Sequence, residues 1–158
     1  MTTFVLDTGL LVGYLRGADY ADYTERHFGV STPPNFPVIC VVSSGEVYSV
    51  ALQFGWGEER LRRLGDLLRR IPFVDINSPQ VIERYAQIDA YSQGKHPSRT
   101  LPPTVTSRNM GKNDVWIAAT ASVLQATLLT TDHDFDHLHG VFLAVEYIDQ
   151  AWGRGGSP

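Results

Sequence analysis

The chain has 158 residues, of which 43% are hydrophobic and 19% charged, a composition typical of one folded domain. Its formal net charge of −4 argues against a protein that coats nucleic acid without discrimination. The sequence has no apolar run of about 18 residues and no signal-peptide pattern, so we expect no membrane association. A single cysteine, Cys40, allows no internal disulfide. These features predict a cytoplasmic protein with one domain over residues 1–150 and a disordered tail over 151–158.

The first half of the chain predicts two strand–helix pairs. The strand "TFVLD" ends at Asp7, and "TGLLVGYLRG" follows as a helix. Residues 18–30 predict a weaker helix, and the prolines of "STPPNFP" predict a loop. The buried strand "VICVV" comes next, and Ser43 with Glu46 three residues later has the pattern of a capping box that begins the helix "SSGEVYSVALQF".

The second half continues the alternation. Residues 58–70 predict an amphipathic helix and "PFVDI" a strand, and Ser78 is expected to cap the helix that follows. Residues 93–111 predict a long polar loop, and the helix "NDVWIAATASVLQA" then has Asn113 as its expected cap. The strands "TLLTT" and "VEYID" flank the short helix "DFDHL". Such alternation predicts an α/β fold, a parallel sheet of about five strands with helices on both faces.

Charge is unevenly distributed along this chain. Residues 58–112 hold ten of the thirteen Lys and Arg for a net +4, whereas residues 1–57 carry −3 and residues 113–158 carry −5. A basic middle between acidic ends is typical of a polyanion held near a carboxylate cluster. It is equally typical of a solvated, charge-mixed helix followed by a loop, so the charge distribution leaves both interpretations open.

The triplet Asp7-Thr8-Gly9 after an apolar strand has two chemical interpretations. Aspartic proteases present their catalytic carboxylate in this way, and metal-dependent nucleases present a first metal ligand at the end of a strand. Aspartic proteases are all-β proteins, whereas the residues after this triplet predict a helix. The sequence therefore favours the metal ligand.

Four acidic residues are predicted to meet at one edge of the sheet. Asp7 and Asp132 follow strands, and Glu46 and Asp114 lie near the starts of helices. The carboxyl ends of parallel strands are where open α/β sheets bind ligands. Clustered carboxylates repel one another unless a hard cation such as Mg²⁺ or Mn²⁺ neutralises them, and such a site activates water for phosphodiester hydrolysis. Turn formation, capping and the helix dipole are the structural alternatives for each acid taken alone.

Four segments carry a family resemblance. In order they are "FVLDTGLLVGYL", "VVSSGEVYSVAL", "GKNDVWIAATA" and "LLTTDHDF", and together they span residues 4–135. The chain resembles PIN-domain proteins, specifically the VapC-like toxins of bacterial toxin–antitoxin pairs. The resemblance implies a three-layer α/β/α fold and Mg²⁺-dependent (or Mn²⁺-dependent) endoribonuclease activity. It also implies an RNA substrate, with tRNA as one possibility, a cognate antitoxin and a homodimer.

The resemblance also implies roles for individual residues. The metal-binding and catalytic set is Asp7, Glu46, Asp114 and Asp132, and Thr130 and Asn113 are supporting polar neighbours. Gly9 departs from the family, which usually has Asn or Ser there, so we expect weaker metal positioning. A PIN-fold binding domain with weakened catalysis therefore stays an alternative, as does a DNA or flap-type nuclease.

The acidic segment "DHDFDHLHG" raises further metal-site possibilities. A calcium loop is rejected because its sixth position is His137 and its twelfth is Leu143. A structural zinc site is rejected because the histidines lack a completing ligand. Asp134 is a candidate for a fifth acidic contact at the active site.

Basic and aromatic residues supply candidates for binding partners. On the loop before Asp114 the candidates for holding RNA are Lys95, His96, Arg99, Arg108 and Lys112. The arginines of residues 58–70 are better explained by pairing with acids on a solvated helix. Tyr48 and Trp116 are expected in the core, with an antitoxin-binding groove as the alternative.

Overall fold

The computed structural model describes residues 1–154 and contains one five-stranded parallel sheet. Its strand order is β3-β2-β1-β4-β5, so the first strand lies at the centre. The strands are β1 (Thr3–Leu6), β2 (Phe36–Cys40), β3 (Phe73–Val74), β4 (Thr127–Thr130) and β5 (Ala144–Tyr147). Every pairing between neighbouring strands of this sheet is parallel, which confirms the predicted fold class.

Six α-helices and one 3-10 helix surround this sheet in the described residues. The helices are α1 (Thr8–Arg16), α2 (Asp19–Phe28), α3 (Val41–Gln53), α4 (Glu58–Arg70), α5 (Pro79–Ser92) and α6 (Lys112–Val123), and the 3-10 helix is His133–Leu138. The predicted loop over 93–111 is confirmed. Within residues 1–154, no helix has the length and apolar character needed to cross a membrane.

The sheet separates two apolar clusters. Successive residues of a strand point to opposite faces. Val5 and Leu128 accordingly join the cluster that packs against α5 and α6, whereas Leu6 and Leu129 join the cluster that packs against α1 and α4. Helices therefore cover both faces, and the carboxyl ends of the strands remain as the open edge.

The start of α3 differs from the sequence prediction. The helix begins at Val41, directly after β2, so Cys40 occupies the N-cap position. The Ser43 hydroxyl is buried and has no hydrogen-bond partner within residues 1–154. The predicted capping box is therefore wrong, because the end of the strand fixes the N-cap at Cys40, three residues earlier than the local pattern indicates. The predicted strand also ran too far, into Val41 and Val42, and β2 instead begins at Phe36, within the predicted loop.

The other two predicted caps have opposite outcomes. Ser78 does cap α5, accepting a hydrogen bond from the Val81 amide at 3.2 Å. In α6 the cap position belongs to Gly111, and Asn113 lies inside the first turn. The Asn113 cap prediction is wrong because the glycine already has the extended backbone that precedes a helix, with ψ of 138°.

The described part of the C-terminal segment packs against the domain. Residues 151–154 form a turn, and the Trp152 ring lies 4.8 Å from the Tyr23 ring, centroid to centroid. Trp152 also contacts the apolar cluster beside α1. Of the predicted tail over 151–158, residues 155–158 lie outside the described residues.

Candidate active site

Asp7 lies at the centre of the open edge of the sheet. It follows β1, caps α1, and its backbone amide donates to the Leu129 carbonyl at 3.0 Å. Since residues two apart share a face of a strand, Asp7 lies on the same side as Val5, the side covered by α5 and α6. The end of β4, Thr130, is therefore its immediate neighbour.

Two hydrogen bonds fix the Asp7 carboxylate. The Thr130 hydroxyl donates to Oδ2 at 2.6 Å, and the Thr8 amide donates to Oδ1 at 2.8 Å. The same Thr130 hydroxyl accepts from the Asp132 amide at 3.0 Å, so it joins two of the predicted site residues. Burial raises the pKa of Asp7 although both hydrogen bonds oppose this, and Glu46 and Asp132 raise it further.

Glu46 points from α3 toward this edge. Its Oε1 accepts a hydrogen bond from the Thr8 hydroxyl at 2.7 Å. Thr8, Glu46 and Asn113 line one cleft of about 590 Å³. Thr8 was not among the predicted site residues, and its only signal in the sequence is its place directly after Asp7. The cleft brings the predicted supporting residue Asn113 beside Glu46, with Asn113 exposed.

Three carboxylates form the tightest acidic group. One oxygen each from Asp114, Asp132 and Asp134 lie within 4.8 Å of one another. The pKa of Asp114 is raised to about 7, first by burial and then by Asp7, Asp132, Glu46 and Asp134. The other four acids therefore all act on Asp114 at this edge, which we call the acidic edge.

The structure brings the four predicted acids to one edge but groups them differently from the prediction. Asp114 and Asp132 lie in the tight group, and its third member is Asp134, the candidate fifth contact. Asp7 and Glu46 stand outside that group and interact with it through charge. Within residues 1–154, the only salt bridge of any of these acids joins Asp134 to Arg108, at 4.0 Å.

This donor set fits a hard divalent cation. Its donors are carboxylate oxygens, which Mg²⁺ and Mn²⁺ prefer. Burial first, and then repulsion by the neighbouring acids, raises the pKa of Asp114, and a bound cation would offset both effects. Asp114, Asp132 and Asp134 would contact the ion. The Thr130 hydroxyl would hold Asp7 in place, and the Thr8 hydroxyl would hold Glu46.

The predicted RNA-binding cations have different surroundings. Arg108 is 36% exposed and faces Asp134, which places it at the acidic edge. Lys112 opens α6, two residues before Asp114, and is exposed. Arg99 instead donates to the Val141 carbonyl at 2.9 Å and lies over the Phe142 ring at 4.6 Å, so packing accounts for it. Exposed Lys95 contacts Gln93 at 3.4 Å.

The Thr131 side chain occupies the space beside Gly9. A Cβ atom built at Gly9 would lie 2.5 Å from the Thr131 hydroxyl oxygen. Real Cβ contacts are never that short, so Ser or Asn could stand at position 9 only if Thr131 moved. Thr131 was also absent from the predicted site, because its side chain becomes relevant only once β4 lies beside α1.

The two aromatic candidates, Trp116 and Tyr48, differ in their burial. Trp116 packs on Tyr85, with ring centroids 4.2 Å apart, which agrees with the expected core position. Tyr48 is 48% exposed, so the expectation that it lies in the core is wrong. It faces outward because α3 turns its other side, with Val47 and Ala51, to the interior.

The PIN-domain family model matches residues 4–141. The chain belongs to the PIN domain family. The match covers most of the chain of this PIN domain and confirms the resemblance seen in the four sequence segments.

Solved structures of VapBC proteins have a similar fold. VapBC2 from Rickettsia felis, bound to a DNA fragment from its promoter, has a TM-score of 0.72 at 19% identity and covers 94% of this chain and 100% of its own. VapBC-1 from nontypeable Haemophilus influenzae has a TM-score of 0.65 at 22% identity, with 92% and 98% covered. VapBC-5 from Mycobacterium tuberculosis, of the VapBC family of toxin–antitoxin systems, has a TM-score of 0.56 at 20% identity, with 94% and 98% covered. Among curated proteins no significant match is found.

Proposed function

We propose that this PIN domain is a Mg²⁺- or Mn²⁺-dependent endoribonuclease that acts as the toxin of a toxin–antitoxin pair. The observation that carries the proposal is the acidic edge, where carboxylates from four chain segments converge and, within residues 1–154, form one long ion pair. Clustered carboxylates with few protein cations beside them are an arrangement that metal-dependent hydrolases use.

The position of each residue at the acidic edge indicates its role. When bound, the divalent ion would supply an activated water and would stabilise the leaving oxygen of a phosphodiester. Asp114, Asp132 and Asp134 would hold the ion. Glu46 is oriented by the Thr8 hydroxyl and turns a carboxylate into the cleft beside Asn113. Asp7 is fixed by two hydrogen bonds and adds negative charge from the buried side of the edge.

Single-stranded or loop RNA is the substrate that suits this edge. Arg108 and the exposed Lys112 border the acids and can neutralise phosphates on either side of the cleaved bond. RNA loops offer splayed bases and accessible backbone, whereas the deep groove of A-form duplex is closed to side chains. A tRNA loop is a candidate of this kind.

An antitoxin partner is proposed from the structural relatives, which are VapBC proteins of toxin–antitoxin systems. We also propose a homodimer. Its support is a row of apolar side chains on and just after α3 that face solvent: Tyr48 at 48%, Leu52 at 84% and Phe54 at 74% exposure. Exposed apolar patches of this kind mark association surfaces.

The test is cleavage of total RNA by the purified full chain, free of antitoxin, with Mn²⁺ or Mg²⁺. Parallel reactions contain EDTA, the Asp114→Asn variant or the Asp66→Asn variant, which removes an acid from exposed α4 and serves as the matched control. We expect discrete fragments with the wild type and with Asp66→Asn. Asp114→Asn is expected to cleave at least about a hundredfold more slowly, since it loses a ligand of the ion.

Each other outcome has a definite meaning. Fragments that persist in EDTA and with Asp114→Asn come from a contaminant and contradict the proposal. A folded protein that neither cleaves RNA nor binds millimolar Mn²⁺ favours the alternative of a PIN-fold binding domain, which Gly9 motivates. Equal cleavage of single-stranded DNA would instead favour the DNA nuclease alternative.

A further inference from the structure

A stacked aromatic pair borders the acidic edge. The His133 ring lies on the Tyr147 ring, with centroids 3.6 Å apart and planes at 19°. A hydrogen bond of 2.8 Å between His133 Nδ1 and Asp136 Oδ2 holds the imidazole in this orientation. His133 stands between Asp132 and Asp134 in the chain, so the pair adjoins two of the three grouped carboxylates.

The fold places Tyr147 on the same side of the sheet as the acids. It ends β5, and its Cα pairs in register with that of Thr130, whose hydroxyl bonds Asp7. Val145, two residues earlier, belongs to the apolar cluster under α5 and α6, and residues two apart share a face. The aromatic pair is therefore one strand away from the buried end of the acidic edge.

The outer ring of the pair is open to solvent. The His133 side chain is 65% exposed, although Tyr147 covers one face of its ring. The neighbouring His137 shows the contrast, since it is buried and bonds the Ser92 hydroxyl at 2.7 Å. An exposed, orientationally fixed aromatic face is the kind of surface on which the bases of single-stranded nucleic acids stack.

We propose that His133 and Tyr147 form a stacking subsite that receives the base of a nucleotide next to the cleaved bond. The inference rests on the proposed ribonuclease function and deepens it, because the subsite would select RNA segments with an unpaired base at that position. Stacking tolerates every base, so the subsite would favour unpaired over paired RNA more than one base over another.

The experiment measures binding without cleavage. A short single-stranded RNA with one 2-aminopurine is titrated with the full-length Asp114→Asn protein, and fluorescence quenching reports stacking. Three further changes are made in that background: His133→Ala, His133→Phe and His27→Ala. His27 is the matched control, because it is also an exposed histidine stacked on a tyrosine, Tyr23, at 5.4 Å, but it lies on α2.

We expect His133→Ala to weaken binding about tenfold and to reduce the quenching, since stacking on one base is lost. His133→Phe keeps an aromatic face, so its affinity stays within about twofold of the parent, and His27→Ala matches the parent. Circular dichroism checks that each variant is folded.

The inference is overturned if His133→Ala binds like the parent, or if His133→Phe loses as much affinity as His133→Ala. A parent protein that binds no RNA overturns it as well. If the wild type fails to cleave RNA while the His133→Ala loss persists, the subsite stands and the proposed ribonuclease activity fails, so the two results are separable.

Discussion

Helix α4 and the acidic edge both concentrate charge, and they differ in how that charge is compensated. On α4 the partners lie three or four residues apart on one helix: Arg62 contacts Glu59 at 2.8 Å and Asp66 at 3.2 Å, and Arg69 also contacts Asp66. Such pairs form wherever helical spacing brings opposite charges together. Arg62, Arg63 and Arg69 thus pair with acids of the same helix, as the sequence interpretation of a solvated helix predicted, whereas Arg60 lies over the Trp56 ring at 5.1 Å.

At the acidic edge the charges come from distant parts of the chain and have the same sign. Arg108 makes the one salt bridge to these acids in residues 1–154, and its distance of 4.0 Å is long. Folding has therefore brought five carboxylates together there with little compensation from protein cations. Uncompensated charge that is assembled over long sequence distances thus indicates a ligand, whereas a charged run on one helix does not.

The largest expected effect tests whether the acidic edge is organised as a site. Replacing Thr130 by Val removes the hydroxyl that donates to Asp7 at 2.6 Å and accepts from the amide of the metal ligand Asp132 at 3.0 Å. Loss of a residue that orients a metal ligand lowers metal affinity by about ten- to hundredfold, so we expect that loss for Mn²⁺ in calorimetry. Thr100→Val on the exposed loop is the control and should bind Mn²⁺ like the wild type. Equal affinity for the two variants would contradict the organised site.

The next effect concerns the stability that the chain loses by burying Asp114 beside other acids. The folded chain keeps the Asp114 proton up to about pH 7, while the unfolded chain loses it near the ordinary aspartate pKa of 3.8. Between these values the folded state binds more protons, so this residue makes stability fall as pH rises. Without metal, Asp114→Asn should raise the unfolding free energy at pH 8 by about 1–2 kcal/mol, after allowance for solvent screening, and change it little at pH 4.

Urea unfolding in EDTA at the two pH values measures this difference. Asp66→Asn on α4 is the matched control, and it should show no comparable gain at pH 8. A loss of stability for Asp114→Asn at pH 8 would mean that the acids at the edge are compensated in a way that the observed contacts do not provide.

A smaller effect concerns the gap at Gly9. Gly9→Ala places a Cβ atom 2.5 Å from the Thr131 hydroxyl, so overpacking should cost about 1 kcal/mol of stability. Thr131→Ala removes that oxygen, and the double variant should recover most of the loss. A double-mutant cycle by urea unfolding gives the coupling; additive effects of the two changes would show that the two residues do not compete for the space.

The smallest expected effect lies on α4. Arg62→Ala breaks two exposed ion pairs, which contribute little to stability because water and salt screen them. Thermal unfolding at low salt and at about 1 M salt measures the small difference from the wild type, which should vanish at high salt. A large loss of stability that persists at high salt would contradict the comparison, because screened surface ion pairs cannot cause it.

The sequence was sufficient for the order of elements and for the edge at which the acids meet. The apolar residues that form the strand and helix patterns in the sequence are the residues that folding buries, as Val5 and Leu128 show. These patterns therefore predict the elements. The placement of Asp7 and Asp132 at strand ends then followed from the parallel sheet alone.

The local hydrogen bonds could not be predicted, since tertiary neighbours decide them. Glu46 bonds Thr8, 38 residues away, instead of its predicted cap partner Ser43. Asp134 joined the tight group and Asp7 did not, because the 3-10 helix after β4 sets where its side chain lies. Arg99 was expected at the RNA surface, yet Phe142 and Val141 engage it, contacts that no spacing in the sequence encodes.

The hydrogen bonds of Asp7 have a thermodynamic consequence. With Thr130 on one oxygen and the Thr8 amide on the other, its side chain has already lost its rotational freedom in the folded protein. Asp134 is exposed and, within residues 1–154, only its 4.0 Å ion pair to Arg108 holds its carboxylate, so it must be ordered when a ligand arrives, which costs conformational entropy at that moment. Part of the site is therefore ordered when the chain folds, and the rest is ordered only when the cation and the RNA bind.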